Sequence, residues 1–266
     1  MLDQMLTLFR SAFYFRGLRW VFIPVSIGVA VTFSGIWLLG YWPPLGKRWL
    51  WAIALMSAVV TWSAIAFIQV PLQNWTGRGL LLIWDPPTLR HWILLSGIPQ
   101  VFTSGLVQEG AKMAPLALYM LGKRFTSPKE GLVAGAMAGA GFGVFEAIWV
   151  LNTIFASGWT WRAVTVSGFA GLLGFWERFF TVGFHIAASA IAGFGLARER
   201  GWQFYLIAAT LHCGANYSVL LMRSGALNAT QTELYIAAIA VAATVIALVL
   251  RWKKEPDHLV SQTSRV

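Results

Sequence analysis

Seven apolar runs, each near the length a bilayer demands, constrain this chain more than any other feature. A hydrocarbon core about 30 Å thick needs roughly 20 apolar residues per helix. The runs are Trp20–Tyr41, Trp49–Val70, Trp92–Leu121, Gly131–Ala156, Glu177–Ala197, Trp202–Met222 and Thr232–Leu250. The third is longer than a bilayer requires and is expected to tilt or protrude. Composition agrees: 58% of the 266 residues are hydrophobic, 11% are charged, and mean hydropathy is +0.65. Soluble domains carry about 25% charged residues, so a water-soluble globule is excluded. A disordered chain is excluded too, because this one is too apolar to stay solvated. The single Cys213 leaves no disulfide framework and no Cys-rich zinc or iron–sulfur site. The expected architecture is an all-α, polytopic transmembrane helix bundle.

The formal charge of +10 would point to nucleic acid in a soluble protein. Here the basic residues fall between apolar runs, so no nucleic-acid partner is expected, and they read as topology signals and contacts to anionic lipid. Trp20, Tyr41, Trp49, Trp92 and Trp202 mark span ends as an interfacial aromatic belt does. Residues 1–19, with Arg10, Arg16 and Arg19 among Leu and Phe, read as an interfacial amphipathic helix rather than a cleaved signal. Residues 20–251 form the transmembrane domain and 252–266 a polar tail. The glycine-rich stretch Gly158–Trp176 reads as a re-entrant or surface elbow, or as an eighth span if it crosses. Asp85-Pro86-Pro87 is expected to start the long third helix. With seven spans, eleven basic residues share the side of the C-terminus and seven lie opposite, which predicts a cytoplasmic C-terminus.

Charges inside the spans carry the functional information. An ionisable side chain at the bilayer centre costs about 2.5–3.5 kcal/mol on insertion scales. The third run holds Glu109 and Lys112, the fourth Glu146, the fifth Glu177, Arg178 and His185, and the sixth His212, whereas the first two runs hold none. At 1.5 Å per residue from the 123 and 198–202 side, Glu109, Glu146, His185 and His212 lie about 15–22 Å deep, in one layer on four consecutive helices. Phe142/Glu146 and His212/Asn216 are i,i+4 pairs, Glu109/Lys112 is i,i+3, and Arg178, Thr181, His185 and Ser189 share a face. Gly131, Gly135, Gly139 and Gly143 put a small residue at every fourth position of the fourth run, so that a neighbouring helix can approach closely.

Two histidines and a carboxylate converging in a dry bundle can bind Zn²⁺ and leave a position for water. A second carboxylate would take the proton of that water, with Lys112 holding it ionised or oriented. His212 and Asn216 could instead polarise a carbonyl without metal, and spacing does not choose between the two. Taken singly, each feature has a structural explanation. Glu109–Lys112 neutralises itself, His185 donates a helix–helix hydrogen bond, Glu177–Arg178 is an ion pair near a helix end, and Cys213 is a small core residue. The shared depth of four such groups is what favours a site.

Gln108-Glu109-Gly110-Ala111-Lys112, Phe142-Gly143-Val144-Phe145-Glu146, His185 and His212-Cys213-Gly214-Ala215-Asn216 together resemble the PrsW family of intramembrane proteases. That family belongs to a wider group with the CAAX prenyl endopeptidases and bacteriocin-processing enzymes. Its signatures are Glu-Glu-x-x-Lys, Phe-x-x-x-Glu, a histidine helix and His-x-x-x-Asp/Asn, and they match in order over residues 90–225. The resemblance implies a four-helix catalytic core in a prokaryotic-type cell membrane. It makes Glu109 the general base and Glu146, His185 and His212 the metal or water-polarising set, with Lys112 and Asn216 assisting. It also implies single-span membrane protein substrates such as anti-sigma factors. One departure is Gln108, where the family has the first glutamate of the pair. The layout is similar, too, to the non-proteolytic Aph subunit of gamma-secretase, so a membrane scaffold is the alternative. A proton-coupled transporter built on a Glu/His relay is a third reading.

Overall fold

The computed structural model describes residues 1–11, 15–42, 46–122, 125 and 127–253, and the regular structure among them is helical throughout. In chain order the helices are α1 (Leu2–Ser11), α2 (Phe22–Leu38), α3 (Arg48–Ala64), α4 (Val70–Leu81), α5 (Pro86–His91), α6 (Ile93–Ser96), α7 (Ile98–Gly122), α8 (Pro128–Ala156), α9 (Trp161–Ser167), α10 (Leu173–Ala197), α11 (Gly201–Arg223) and α12 (Ala229–Trp252). Among the described residues, six helical stretches are long and apolar enough to cross a membrane: Phe22–Tyr41, Arg48–Leu81, Pro128–Ala156, Trp161–Ala197, Gly201–Arg223 and Ala229–Trp252. The seventh long helix, the 25-residue α7, packs among them against α11, α3 and α8 but is less apolar. Its interior carries Gln108, Glu109 and Lys112, all buried by protein. The chain is an integral, multi-pass membrane protein.

Several expected boundaries move. The second run does not stop at Val70: α3 continues through a π-helical turn, Ile65–Gln69, into α4, making 34 helical residues. The third run is not one helix. Asp85 accepts a 2.8 Å hydrogen bond from the Thr88 N–H and starts the short α5 instead of the long α7. Trp92 leaves helical geometry (φ −97°, ψ 32°), and α7 begins only after Gly97, where a side chain would collide with Leu220 of α11. The elbow at Gly158–Trp176 is a seven-residue α9 and a 3₁₀ turn, Gly168–Leu172, folded back so that Trp159 Nε1 donates to the Gly171 carbonyl at 2.8 Å. Gly168 breaks the helix with φ +58°. At about 10 Å in length, α9 is too short to cross, so no separate eighth span forms. The 24 residues of α12 begin with a capping box formed by Asn228 and Gln231.

Of the amphipathic N-terminus, Leu2–Ser11 is helical and lies on the π-turn region, with the Phe9 ring 5.6 Å from that of Phe67. The tail from Lys254 onward falls outside the described residues, as do Lys123 and Arg124, two of the eleven basic residues counted on the side of the C-terminus.

Helix α8 is the centre of the bundle, covered on one side by α10 and on the other by α3 and α2. Its glycine ladder explains why. A Cβ at Gly131, Gly135 or Gly139 would run into the backbone carbonyls of Gly193, Ser189 or His185 on α10. On the opposite face, Gly141 stands against the Ala54 carbonyl of α3 in the same way. Without interhelical hydrophobic drive in lipid, such backbone contact is how helices associate. It also sets the spacing between Glu146 and His185, one on each helix.

Candidate active site

The ionisable residues of the four expected helices form one connected chain of contacts. It begins where Arg178, on α10, pairs with Glu177 through both Nε (2.5 Å to Oε2) and Nη2. Arg178 Nη1 reaches across to Glu146 Oε2 on α8 at 3.0 Å. The same carboxylate oxygen lies 3.1 Å from His185 Nε2. The other ring nitrogen of His185, Nδ1, is 3.1 Å from Lys112 Nζ on α7. Lys112 donates to Glu109 Oε1 at 2.5 Å, and His212 Nδ1 on α11 meets that oxygen at 2.6 Å. Glu109 and Lys112 have no solvent exposure, and His185 and His212 only 2% and 3%.

Burying an ion pair this deeply is costly unless each charge finds several partners. Here each charge does. Phe142 and Phe184 seal the imidazoles, standing edge-on to His185 at 5.0 Å and to His212 at 5.6 Å between ring centroids. The glutamate–lysine pair expected to neutralise itself does so, and in the same place it joins the histidines.

Glu109, His185 and His212 each offer a ligand atom, and these atoms lie within 4.8 Å of one another. It is Glu109, rather than Glu146, that the fold gathers with both imidazoles. Glu146 stands behind His185, holding its far ring nitrogen, and is itself held by Arg178. Two imidazoles and a carboxylate are a zinc donor set in kind. A carboxylate behind a ligating histidine fixes its tautomer and orientation, as Glu146 is placed to do for His185. One further atom fits such a site: Glu109 Oε2 is buried and has no hydrogen-bond partner among the described residues. The competing cation is Lys112, whose ammonium touches two members of the set, Glu109 and His185.

Asn216 does not touch Glu109. One turn beyond His212, it donates to Ser104 Oγ at 2.9 Å. Ser104 also accepts from Gln108 Nε2 at 3.1 Å, and the same amide nitrogen donates at 3.1 Å to Gln69 Oε1, brought in by the π turn. This amide group flanks Glu109 on α7 and gives Gln108 a role a carboxylate could not fill without rearrangement, since it donates twice. Gln69 and Ser104 were not anticipated from the sequence. Gln69 had a signal, as a polar residue in the second apolar run, whereas Ser104 had none. The sequence pairs Arg178 only with Glu177; its reach to Glu146 depends on the α8–α10 approach. Cys213 is half-buried, with its Sγ close to Gly105 and 3.6 Å from the Val101 carbonyl, in keeping with a packing role.

The comparison with protein families matches residues 46–250 to the PrsW family of intramembrane metalloproteases. The chain belongs to the PrsW family. The match covers α3 to α12 and therefore every residue of the site, and it decides among peptidase, scaffold and transporter in favour of an intramembrane protease acting on membrane proteins in a lipid bilayer. No curated protein and no solved structure matches the chain. Within the PrsW assignment, the Glu109, His185 and His212 group is able to bind a metal ion.

Proposed function

We propose that this PrsW-family protein hydrolyses a peptide bond of single-span membrane proteins, anti-sigma factors among them, using water activated at Glu109. The observation that carries the reading is the unpartnered Oε2 of Glu109, buried beside two imidazoles. A metal, Zn²⁺ by donor type, would be held by His185, His212 and one oxygen of Glu109, whose other oxygen would remain the base. When bound, it lowers the pKa of a water and polarises the scissile carbonyl.

The chain's own residues do the rest. Glu109 is oriented through Oε1 by His212 and Lys112, which leaves Oε2 to take one proton from the attacking water. As the water oxygen bonds to the carbonyl carbon, the C–N bond breaks, and Glu109 passes that proton to the departing amine. This is the two-way duty of a general acid–base. Glu146 keeps His185 turned toward the site, and Arg178 holds Glu146 in place. Asn216, steadied by Ser104, offers a second amide hydrogen to the developing oxyanion, a type of contact that contributes about 2.7–4 kcal/mol where measured by mutation. The surplus of basic residues on the side of the membrane that holds the C-terminus, counted over seven spans, supports a cytoplasmic C-terminus in a prokaryotic-type cell membrane.

The test is cleavage of a single-span reporter in proteoliposomes by the parent, Glu109→Gln and His212→Ala, with folding followed by size exclusion and thermal unfolding. Both variants are expected to fold and to lose cleavage by at least about 100-fold, the scale of a lost general acid–base. A folded Glu109→Gln protein that cuts at the parent rate would overturn the assignment.

A further inference from the structure

At the end of the bundle where α3 and α8 begin and α12 finishes lies a cavity of about 290 Å³. Lys47, Lys129 and Arg251 line it from these three helices, against a single carboxylate, Glu130, that Lys47 meets at 3.2 Å. Arg251 stacks its guanidinium 5.1 Å from the Trp252 ring and donates weakly to the Trp42 carbonyl at 3.4 Å, while its Nε is buried without a partner among the described residues. The N-termini of α3 and α8 add their partial positive charge. The lining thus carries more cations than anions, with an N–H to spare.

Further along α8 is a second cavity, of about 460 Å³, walled by α2 and α3 and almost wholly apolar. Val133 lines the first cavity; Met137, Gly141, Val144 and Ile148 line the second. Their spacing puts all five on one face of α8, so the basic cavity caps the apolar one. From Met137 to Ile148 the helix rises about 16 Å. That is about one leaflet of a hydrocarbon core roughly 30 Å thick. On the α2 wall, a side chain at Gly35 would meet nothing within 4 Å, so the groove has room to spare at that wall.

A cation-rich pocket at the head of a leaflet-deep apolar groove has the two-part chemistry of a phospholipid. We propose that the chain binds one anionic glycerophospholipid there, its phosphodiester on Lys129 and Arg251 and an acyl chain between α2, α3 and α8. A transmembrane substrate segment would account for the groove but not for Lys129 and Arg251 at its head, which have no carboxylate partner among the described residues.

The test uses the full chain in detergent, counting bound lipid by native mass spectrometry and following thermal unfolding. The probes are phosphatidylglycerol, phosphatidylcholine of the same chains, and inorganic phosphate. Phosphatidylglycerol is expected to bind at one per chain and raise the unfolding temperature more than phosphatidylcholine does, with inorganic phosphate giving no shift. Lys129→Gln/Arg251→Gln is expected to bind it about 30-fold more weakly, from two lost membrane-proximal cations. Gly35→Leu, which fills the groove and removes no charge, is expected to weaken it as well.

Equal binding of the two lipids, or unchanged binding in both variants, would overturn the proposal. A shift reproduced by inorganic phosphate alone would reduce the site to an anion pocket and refute the lipid. If Gly35→Leu blocks reporter cleavage yet leaves phosphatidylglycerol bound, the groove belongs to a substrate segment instead.

Discussion

Two glycines one turn apart on α8 should respond in opposite ways to the same substitution. At Gly143 a Cβ would sit 3.4 Å from Val182 Cα and 3.5 Å from His185 Cβ, which is ordinary contact. At Gly139 it would overlap the His185 carbonyl, with Ile186 Cα only 2.8 Å away, and backbone atoms cannot rotate aside. Alanine gains about 1 kcal/mol over glycine in helix propensity at either position. At Gly143 that gain stands, so Gly143→Ala should be neutral or slightly stabilising.

At Gly139 it is opposed by overpacking of about 1–3 kcal/mol, and relief requires α8 and α10 to separate by a substantial part of an ångström. Glu146 and His185, 3.1 Å apart across that interface, would separate with them. Misplacement on the scale of 1 Å can cost about 100-fold in rate. Thermal unfolding and reporter cleavage, measured on both variants in parallel, check this. Equal behaviour of Gly139→Ala and Gly143→Ala, in either direction, would refute the claim that the α8–α10 spacing sets the site.

Other consequences concern the neighbours of Glu109. A divalent ion at Glu109 and His185 would repel the Lys112 ammonium by several kcal/mol even at an effective dielectric of about 20, so Lys112→Met should bind zinc at least about 10-fold more tightly than the parent in a chelator competition. Equal or weaker binding would show that Lys112 does not compete. Gln108→Leu leaves Gln69 and Ser104 without their shared donor and should lower stability by about 1–3 kcal/mol in thermal unfolding. Gln108→Glu should cost less and keep reporter cleavage, because the Gln69 amide can turn to donate to a carboxylate; loss of cleavage in that variant alone would show that Gln108 acts through its amide hydrogens.

Much of this arrangement was legible in the residues. Intramembrane charges are expensive, so Glu109, Lys112, Glu146, His185 and His212 stand out by position alone, and their common depth points to the connected cluster the fold makes of them. The glycine ladder likewise announced a close helix contact, and its period selected the right face of α8. Which carboxylate joins both imidazoles was not legible. Helical spacing gives depth and face, but the packing of α7 on α11 and of α8 on α10 decides that Glu109 meets His212 while Glu146 meets Arg178. The extension of α3 into α4 was hidden for a different reason: Asn74, Gly77, Arg78 and Gly79 dilute the apolar signal there while the backbone remains helical. The break at Trp92–Gly97 was masked by residues that are apolar on both sides of it, since hydropathy does not register a helix that stops and restarts.

The most direct test of the central claim, that Glu109, His185 and His212 form a hydrolytic metal centre, is elemental analysis of the purified full chain beside His212→Ala. The account predicts about one zinc per chain in the parent and its loss in a folded His212→Ala. A folded parent that cleaves its reporter without any bound metal would contradict it.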